Sequence, residues 1–490
     1  FCRGGTCTEI MISPCANSCP ANVDLPGTIA LLQMKKYTDA LALGREANPL
    51  FLTCGYVCEE PPCQKNCKRL TFDDPVYSQS LHRYAGDKAS QSAGSLAKAL
   101  NHPTIKAGAV SGKKVAIVGA GPAGLAAAQH LARLGHKVTV YDQMTAAGGM
   151  AAYGIPVYRL PREILSAEAA AITSLGVIFE FGKKLGLDIN LTSLKSENDA
   201  VLVAVGAWQS RRISIPGEEL PGVVGAVDFL RHAALSEPLP VGKRVLVVGG
   251  GNVAIDCART ARRLGATAVT MICVEDDFEM PATLHEIESA HEEGIEVKVM
   301  AVPTMISKSA EALKVLYSTI APGPYDLLGR RWPPTPDKSG QSELIVDTVI
   351  VAIGQAVDFS GLEGVVERRG PFVATNDSRA TTLAGVFAAG DCAEPANSVV
   401  KAVAAGKAAA LAIDQYLTGT SHNLSSPLRS QLGCFVGDYT CQVAARVEMP
   451  EQDVASRTEN FALVELGLDD SKAAYEMLRC ICAAKGGKTG

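Results

Sequence analysis

Two stretches of the chain share one pattern of apolar and polar positions. Each opens with an apolar run of strand length, passes through a glycine-rich turn into a helix of small residues, and closes on a second apolar run. The first is KKVAIVGAGPAGLAAAQHLARLGHKVTVYDQ, starting at 113, and the second is KRVLVVGGGNVAIDCARTARRLGATAVTMICVED, starting at 243. This alternation predicts parallel sheets covered by helices. The repetition predicts two nucleotide-binding units in one chain.

Other segments extend this pattern on both sides. Two more apolar runs have the length of buried strands, DAVLVAVGA at 199–207 and DTVIVAIGQ at 347–355, and GVFAAGDCAEP follows them at 385–395. An alanine-rich helical pattern then continues to about position 418. Before the first unit, helical spacing covers 24–47 and the stretch after Pro75, without strong strand patterns. Residues 91–113, rich in Ser, Ala, Gly and Lys, are typical of a linker.

Composition narrows the class of protein. Of 490 residues 47% are apolar and 20% charged, and the net charge is -5 without a long basic run, so we expect no nucleic-acid partner. The sequence contains no apolar stretch of the roughly 20 residues that a membrane-spanning helix needs. The first residues do not read as a signal peptide, and the start at Phe1 leaves open whether residues precede it. We expect a cytoplasmic protein of several domains.

The first repeated unit carries a complete nucleotide motif. Gly119, Gly121 and Gly124 form GxGxxG directly between strand and helix, and Asp142 ends the second strand. The first glycine makes a tight turn, the second admits a pyrophosphate and the third permits close helix packing. The helix N-terminus faces the phosphate charge. A glycine-rich turn alone is weak evidence, but with the strand, helix and acid in place it predicts nucleotide binding.

The second unit repeats the motif with Gly249, Gly251 and Ala254, and Glu275 follows 21 residues after the alanine. An acid at this place favours a free ribose 2′-hydroxyl and repels a 2′-phosphate, so NADH is favoured over NADPH. The alternative is that Glu275 only faces solvent. Arg262 and Arg263, on the predicted helix, remain candidates for another phosphate.

The order of the motifs resembles one class of flavoprotein. The chain resembles the flavoproteins with two dinucleotide-binding domains. In both, a second nucleotide-binding domain is inserted into the first, and the chain returns to the first domain at a GDC sequence, here residues 390–392. The resemblance implies FAD in the first unit and a nicotinamide cofactor in the second. It also implies that Asp391, after Gly390, hydrogen-bonds the flavin ribityl chain. The redox-active CxxxxC of disulfide reductases is missing and Cys257 and Cys273 are predicted core thiols, so electrons must leave the flavin by another route.

Cysteines concentrate at the start of the chain. Eight of the 15 lie in the first 67 residues: Cys2, Cys7, Cys15, Cys19, Cys54, Cys58, Cys63 and Cys67. Disulfide scaffolds belong mainly to small secreted domains, so this clustering favours metal ligation. The spacings are C-x4-C-x7-C-x3-C-P and C-x3-C-x4-C-x3-C, whereas structural zinc sites commonly pair ligands as C-x2-4-C. The count and the proline after Cys19 favour two iron–sulfur clusters; zinc, free thiols and disulfides are the alternatives.

The combined motifs resemble a narrower family. CANSCPANVDLPGTIALLQMKKYTDALALGREANPLFLTCGYVCEEPPCQKNCKR, followed by the two nucleotide units, is similar to the small (beta) subunit of glutamate synthase. It is equally similar to the N-terminal half of dihydropyrimidine dehydrogenase and to the FAD subunit of ferredoxin–NADP transhydrogenases. In this family AAYGIPVYRLPREIL (151–165) lies beside the flavin. The resemblance thus adds Gly149 and Arg159 to the FAD site, and Asn252 to the nicotinamide site.

The resemblance implies an interleaved set of cluster ligands. One [4Fe-4S] cluster would use Cys2, Cys7, Cys15 and Cys67, and the other would use Cys19, Cys58, Cys63 and a residue that is not cysteine. PVYSQSLHRYAGD (75–87) matches the family helix that supplies this residue, and the ligand position holds His82. Cys54 is the alternative fourth ligand. The family also places two arginines where this chain has Val274 and Glu275, which again favours NADH.

The tail of the chain contains four more cysteines. Its end resembles family members in larger redox complexes, in which an RCLxC sequence leads into ferredoxin-like cysteines. A third cluster held by Cys434, Cys441, Cys480 and Cys482 is therefore a further hypothesis.

These features together predict an α/β fold with two Rossmann-like domains, arranged as in disulfide reductases and preceded by an α-helical iron–sulfur domain. The predicted segments are 1–112 (helical, two clusters, linker), 113–240 (FAD, first part), 241–356 (NAD), 357–420 (FAD, second part) and 421–490 (C-terminal extension, extra cluster or partner contact).

The predicted function is an oxidoreductase subunit that passes electrons between NADH and iron–sulfur clusters in a multi-subunit complex, with ferredoxin or other iron–sulfur proteins as partners. Electron bifurcation is a further hypothesis. Hydride transfer to flavin needs no acid–base side chain, so no catalytic residue is predicted. The alternative is a glutamate synthase small subunit that uses NADPH. Three features argue against this alternative: Glu275, His82 and the extended tail. The intact glycine motifs count against a scaffold with inactive nucleotide folds.

Overall fold

The computed structural model describes residues 13–58, 61–239, 241–321, 323, 335–395, 398–420, 422, 424, 426, 428, 429 and 443–483, with backbone alone over 335–340. Cys2, Cys7, Cys434 and Cys441, all predicted as cluster ligands, lie outside the described residues. Within the described ranges the chain forms a helical N-terminal domain, two five-stranded parallel sheets and a smaller antiparallel sheet. None of the helices in these ranges combines the length and the apolar character needed to cross a bilayer.

The N-terminal domain consists of short helices. They are α1 (Pro14–Ser18), α2 (Leu25–Gln33), α3 (Tyr37–Ala47), α4 (Phe51–Val57), α5 (Pro62–Lys65), a 3-10 turn (Lys68–Thr71), α6 (Ser78–Ala93) and α7 (Leu96–Leu100). The helical spacing at 24–47 is confirmed, but as two helices, because the chain turns at Lys35 with φ of 58°. Asp24 caps α2 by accepting a hydrogen bond from the Gly27 N–H at 3.0 Å.

The predicted linker at 91–113 is wrong in part. Its first half ends α6 and forms α7, and Leu100 and Ile105 are buried in the main core. Arg45, itself buried, donates a hydrogen bond to the Leu100 carbonyl. Two apolar side chains in a polar segment are enough to fold it onto the domain, since burial of each is worth about 1.5–3 kcal/mol.

The first unit follows in chain order. Its elements are β1 (Lys114–Val118), α8 (Pro122–Arg133), β2 (Lys137–Asp142), α9 (Met150–Tyr153), α10 (Arg162–Thr173), β3 (Ile178–Phe181), α11 (Leu191–Glu197), β4 (Ala200–Val203) and β5 (Gln209–Ser210). β1 pairs in parallel with β2 and β4, with Ile117 opposite Val140 and Leu202. Because helices cover both faces, β1 is almost wholly apolar and buried, as the sequence predicted.

The second unit lies between two parts of the first. Its elements are β6 (Val223–Gly225), α12 (Ala226–Ala234), β7 (Arg244–Val248), α13 (Asn252–Arg263), β8 (Ala268–Ile272), α14 (Leu284–Glu292), β9 (Glu296–Lys298), β10 (Ala301–Ser309), β11 (Ala312–Ala321), β12 (Thr335–Val346), β13 (Thr348–Val351) and β14 (Gln355–Ala356). Its parallel sheet has the order β6-β13-β7-β8-β9, and β10–β12 form the antiparallel sheet.

The boundary predicted at 241 falls too late. β6 pairs in parallel with β13, and Phe229 of α12 is fully buried in the core of the second unit. Both elements precede the glycine motif, so the motif alone could not reveal that they belong to this unit. A short antiparallel pair of β5 and β14 marks the two passages between the units.

The chain then completes the first unit. It adds β15 (Arg368–Arg369), β16 (Phe372–Val373), β17 (Val386–Ala388), a 3-10 turn (Gly390–Cys392) and α15 (Val399–Thr418). β17 pairs with β4, so the first sheet has the order β17-β4-β1-β2-β3 and the predicted return of the chain is confirmed. The C-terminal segment 443–483 carries α16 (Val454–Arg457) and α17 (Asp470–Arg479).

Candidate functional site

The two glycine turns are built in the same way. Gly119 and Gly249 adopt φ of 114° and 138°, a region that favours glycine. A Cβ on Gly119 would lie 2.2 Å from the Ala204 carbonyl oxygen, and one on Gly249 would lie 2.3 Å from that of Ala352. Because glycine has no side chain, the end of the neighbouring strand can approach the turn closely in each unit. This close approach places the N-terminus of the following helix at the carboxyl edge of the sheet.

The second glycine of each motif has open space around it. A Cβ on Gly121 would meet no atom nearer than 3.7 Å, and one on Gly251 would meet none within 4 Å. Both residues have ordinary negative φ and are the N-cap residues of α8 and α13. Neither the backbone conformation nor the packing of the protein requires glycine at these two positions. The open space therefore fits a ligand that approaches the helix N-terminus.

One cavity of about 870 Å³ adjoins the two units and the N-terminal domain. This volume lies within the roughly 300–1,000 Å³ range of small-molecule sites. Its walls contain seven of the residues predicted for FAD: Gly119, Gly121, Asp142, Gly149, Arg159, Gly390 and Asp391. Asn252 of the second unit and Cys58 of the N-terminal domain also line it.

The other predicted nucleotide residues lie outside this wall. Gly124 and Ala254 are buried at the first turns of α8 and α13. Gly249, Gly251 and Glu275 lie at the second glycine turn, next to Asn252, whose Oδ1 accepts a hydrogen bond from the Thr283 N–H at 2.9 Å. The structure therefore places the residues of the two glycine motifs at two turns, of which the first opens directly into the cavity, while Gly149, Arg159, Gly390 and Asp391 reach the cavity from other segments.

Two acids of the first unit differ in their partners. Asp142 accepts hydrogen bonds from the N–H groups of Ala120 at 2.6 Å and Met144 at 2.7 Å, so it stiffens the glycine turn, and its contact with a ribose stays a prediction. No described residue donates a hydrogen bond to the Asp391 carboxylate. Burial, with a smaller contribution from the charge of Glu394, raises the pKa of Asp391 to about 6. A part-buried acid without a donor fits a hydroxyl-bearing ligand such as the ribityl chain.

Glu275 lies over the second glycine turn. A Cβ on Gly250 would come within 2.9 Å of its Oε2, so the carboxylate lies against the turn, and its contact with a ribose stays a prediction. Arg262 donates to the Ala266 carbonyl at 2.8 Å, and Arg263 pairs with Glu293 at 2.6 Å. Both arginines are thus engaged at the C-terminal end of α13, about 16 Å along the helix from the turn.

Arg159 connects the two units. Its guanidinium group pairs with Asp256 of α13 at 2.8 Å and with Glu286 of α14 at 3.1 Å; the two carboxylates are buried and the Arg159 side chain is 10% exposed. Although Arg159 lines the cavity, this ion pair gives it a structural role that the sequence did not predict. Its assignment to FAD stays a prediction.

Four cysteines gather near the cavity at the end of α4. Burial, with smaller contributions from Cys63 and Cys19, raises the pKa of Cys58 to about 12. Burial also raises the pKa of Cys54, with Cys58 and Cys19 adding to the shift. The Ser18 hydroxyl donates a hydrogen bond to the Pro62 carbonyl at 3.0 Å, which joins the segments that carry Cys19 and Cys63, two of the three cysteines predicted as one ligand set. The third, Cys58, follows Cys54 by one helical turn, and its N–H donates to the Cys54 carbonyl at 3.0 Å. The Asn48 side chain donates to the Cys54 sulfur at 3.3 Å.

His82, the predicted fourth ligand, lies on α6 where that helix crosses α4. A Cβ on Gly55 would come within 3.0 Å of the His82 Cβ, and the imidazole ring is 4.2 Å from the Phe51 ring. Burial lowers the pKa of His82 to about 3, so the ring is neutral. Neither ring nitrogen has a hydrogen-bond partner among the described residues. A neutral, buried and unpartnered imidazole fits a metal ligand.

A second group of cysteines includes two that the sequence did not predict here. Cys15 and Cys67, predicted for one cluster, line a small cavity together with Cys480 and Cys482 from the end of the C-terminal segment. The last two were assigned by sequence to a separate third cluster. More than 400 residues separate them from their new neighbours, so spacing could not reveal the grouping. Cys257 and Cys273 are buried, as predicted for core thiols.

Comparison with protein families supports the two-part organisation. Residues 113–408 match the family model described as pyridine nucleotide-disulphide oxidoreductase. Residues 3–93 match the model described as dihydropyrimidine dehydrogenase domain II, 4Fe-4S cluster. The predicted fold class and the predicted resemblance to dihydropyrimidine dehydrogenase are thereby confirmed.

Curated relatives extend the likeness over the whole chain. The beta subunit of an NADP(+)-dependent formate dehydrogenase of Moorella thermoacetica is 37% identical over 98% of this chain and 71% of that protein. The NAD-dependent dihydropyrimidine dehydrogenase subunit PreT of Escherichia coli is 34% identical over 83% of this chain and 92% of that protein. The glutamate synthase [NADPH] small chain of Azospirillum brasilense is 31% identical over 84% and 88%. These relatives confirm the predicted resemblance to subunits of multi-subunit redox enzymes.

Among solved structures, FprA from Mycobacterium tuberculosis has a similar fold. A His57Gln mutant of that protein gives a TM-score of 0.56 at 17% identity, over 63% of this chain and 85% of the other. At this identity the likeness concerns the fold alone.

Proposed function

The chain belongs to the pyridine nucleotide-disulphide oxidoreductase family, and from that premise we propose that it passes electrons between NADH and iron–sulfur clusters, by way of FAD, within a larger redox complex. Its relatives make it a flavin and iron–sulfur NAD(P)H oxidoreductase subunit. One observation carries the proposal. The first glycine turn, Asn252 of the second unit and Cys58 of the N-terminal domain meet in the wall of a single cavity.

When bound, FAD supplies the hydride acceptor and the change from two-electron to one-electron transfer. The residues of this chain bind and orient. Gly121 leaves room for a pyrophosphate at the N-terminus of α8, and Asp391 is positioned to accept a hydrogen bond from a ribityl hydroxyl. Arg159 holds α13 and α14 against the first unit, so the two nucleotide sites keep a fixed separation. None of these residues has to exchange a proton with the substrate.

The cysteines beside the cavity provide the exit for single electrons. Cys58 lines the cavity and lies close to Cys19 and Cys63, so a cluster held there would adjoin the flavin site. The redox partner at the other end of the path lies outside this chain. We expect it to be another iron–sulfur subunit, and we expect a cytoplasmic complex because reducing compartments keep thiol ligands available.

The coenzyme choice that we propose is NADH. Glu275 lies over the second glycine turn, and its charge opposes a 2′-phosphate at that place. The names of the relatives do not decide the matter, since one is NADP(+)-dependent and another is NAD-dependent.

Changing Glu275 to Gln tests this choice. We expect kcat/KM for NADH to fall about tenfold, a loss of ~1.4 kcal/mol, because the ribose hydroxyls lose a charged acceptor. The value for NADPH should stay constant or rise, since the repulsion is removed. Steady-state viologen reduction with each coenzyme measures both values. Asp277→Asn, a nearby exposed acid, is the matched control and should leave the ratio unchanged. A wild-type preference for NADPH would refute the choice.

Changing His82 to Ala tests the fourth ligand of the cluster nearest the cavity. We expect the variant to lose about four iron atoms per chain, one cluster's worth, while it retains FAD. Cys54→Ser is the control and should keep its iron. His82→Cys should also keep the cluster but lower its potential, because thiolate replaces imidazole. Iron analysis and electron paramagnetic resonance measure these outcomes. Iron loss in Cys54→Ser but not in His82→Ala would mean that Cys54, and not His82, is the fourth ligand.

The proposed function itself is tested by anaerobic purification of the full-length chain. We expect bound FAD, about eight iron atoms per chain, and NADH-dependent viologen reduction. Zinc without iron, or a preparation that binds no FAD, would contradict the proposal. Purification with a glutaminase-type large subunit would favour the alternative of a glutamate synthase small subunit.

A further inference from the structure

We propose that Cys480 and Cys482, at the C-terminal end of α17, form one iron–sulfur site with Cys15 and Cys67, so that both ends of the chain hold the same cluster. The inference rests on the proposed function, which supplies the iron–sulfur chemistry. It departs from the ligand set expected from the sequence, which paired Cys15 and Cys67 with Cys2 and Cys7.

The first argument is the buried clamp that joins the two ends. Arg69 lies two residues after Cys67 and donates a hydrogen bond at 3.3 Å to the carbonyl of Arg479, the residue before Cys480. Asp73 bridges the two arginines, at 2.6 Å from Arg69 and 3.2 Å from Arg479. The two arginines are 4% and 3% exposed. The clamp therefore brings the cysteine next to each arginine to the same place.

Further contacts show that α17 docks firmly on the N-terminal domain. Glu476 is fully buried and accepts a hydrogen bond from the Tyr77 N–H at 2.9 Å, besides pairing with Arg479 at 3.0 Å. Gln33 of α2 donates to the Met477 carbonyl at 3.0 Å. A helix held by several buried charge-assisted bonds has a defined position, since leaving any of these groups unpaired is costly.

The second argument is the grouping of the four sulfurs. All four residues line the same small cavity, and Cys63, which the sequence assigned to the other cluster, also lies in its wall, where its sulfur is 3.2 Å from the Ser78 hydroxyl.

The third argument concerns which metal group such a site would take. A single tetrahedral zinc ion with bonds of 2.3 Å holds its sulfurs about 3.8 Å apart. Among the described residues, no three of these four sulfurs lie within 4.8 Å of one another. A wider arrangement of four thiols suits a cubane, in which each sulfur binds a different iron. The four cysteines are free thiols, so none is used in a disulfide.

Three double variants of the full-length chain, purified anaerobically, test the inference. We expect Cys480→Ser/Cys482→Ser to lose about half of the iron, one [4Fe-4S] cluster, together with that cluster's electron paramagnetic resonance signal. It should retain FAD and flavin reduction by NADH. Cys2→Ser/Cys7→Ser and Cys434→Ser/Cys441→Ser should keep all their iron. Full iron in the first variant, or equal iron loss in Cys2→Ser/Cys7→Ser, would overturn the ligand set.

A second measurement works on the wild-type protein and does not depend on how a variant folds. Alkylation followed by mass spectrometry should find Cys15, Cys67, Cys480 and Cys482 protected together and exposed together once a chelator removes the iron. Cys257, a core thiol, should stay protected throughout. Alkylation of Cys480 and Cys482 while the iron is intact would refute the inference. A wild-type chain with neither iron nor FAD would instead refute the proposed function, so the two failures are distinguishable.

Discussion

Changing Gly251 to Ala will leave a yellow, FAD-loaded protein that NADH no longer reduces efficiently. The backbone tolerates alanine, because Gly251 has φ of −90° and a Cβ there meets no protein atom within 4 Å. The methyl group instead occupies the space in front of the N-terminus of α13, where a pyrophosphate would bind. We expect KM for NADH to rise at least about tenfold, a cost of ~1.4 kcal/mol or more, measured by viologen reduction and by flavin absorbance.

Gly121→Ala is the matched variant in the first unit and should impair the binding of FAD instead of the binding of NADH. Its methyl group also finds room in the protein, but it stands at the first glycine turn, so FAD should be lost while NADH binding to the second unit persists. Gly249→Ala provides a contrast, since a Cβ there would lie 2.3 Å from a carbonyl oxygen and should damage the fold itself. Unchanged KM in Gly251→Ala would show that the second turn is not a coenzyme site.

Changing Glu293 to Ala should have the largest effect on stability. Its carboxylate is fully buried and pairs with three guanidinium groups, those of Arg259 at 2.9 Å, Arg263 at 2.6 Å and Arg457 at 3.2 Å. Removing it leaves buried positive charge uncompensated, which costs about 3–5 kcal/mol. Thermal unfolding of the second unit should shift by roughly 10 °C, and proteolysis within that unit should accelerate.

The neighbouring Glu292 is the control for this prediction. It pairs with the same Arg457 at 2.5 Å, but its side chain is 55% exposed. Exposed ion pairs contribute about 1 kcal/mol at most, so Glu292→Ala should barely change the unfolding temperature. Equal effects of the two variants would mean that burial does not set the strength of this network. Arg457 belongs to the C-terminal segment, so the network also fixes that segment to the second unit.

The C-terminal segment thereby gains a defined structural role. It contacts the second unit through Arg457, the first unit through the bond from the Val464 N–H to the Tyr158 carbonyl at 2.9 Å, and the N-terminal domain through Arg479. It therefore braces the three parts whose residues meet in the central cavity. The sequence predicted an extra cluster or a partner contact for this segment, and the structure adds its contacts with all three parts of the fold.

The sequence by itself determined the two nucleotide units. Strand, glycine turn and helix are local patterns, set by side-chain periodicity and by the lack of a Cβ at Gly119 and Gly249. The same holds for α15 and for the buried run of β4, whose predicted positions agree with the structure. Local patterns could not show where the second unit begins, because β6 and α12 join it through pairing and packing alone.

Only the tertiary structure decided how distant groups meet. Arg159 was predicted beside a flavin, yet its guanidinium is held by Asp256 and Glu286, a pairing that depends on how the units pack. Cys480 and Cys482 lie beside Cys15 and Cys67 because a buried arginine clamp docks α17 on the N-terminal domain. Such contacts join positions hundreds of residues apart. Their partners are selected by burial and charge compensation in the folded chain, which spacing along the sequence does not record.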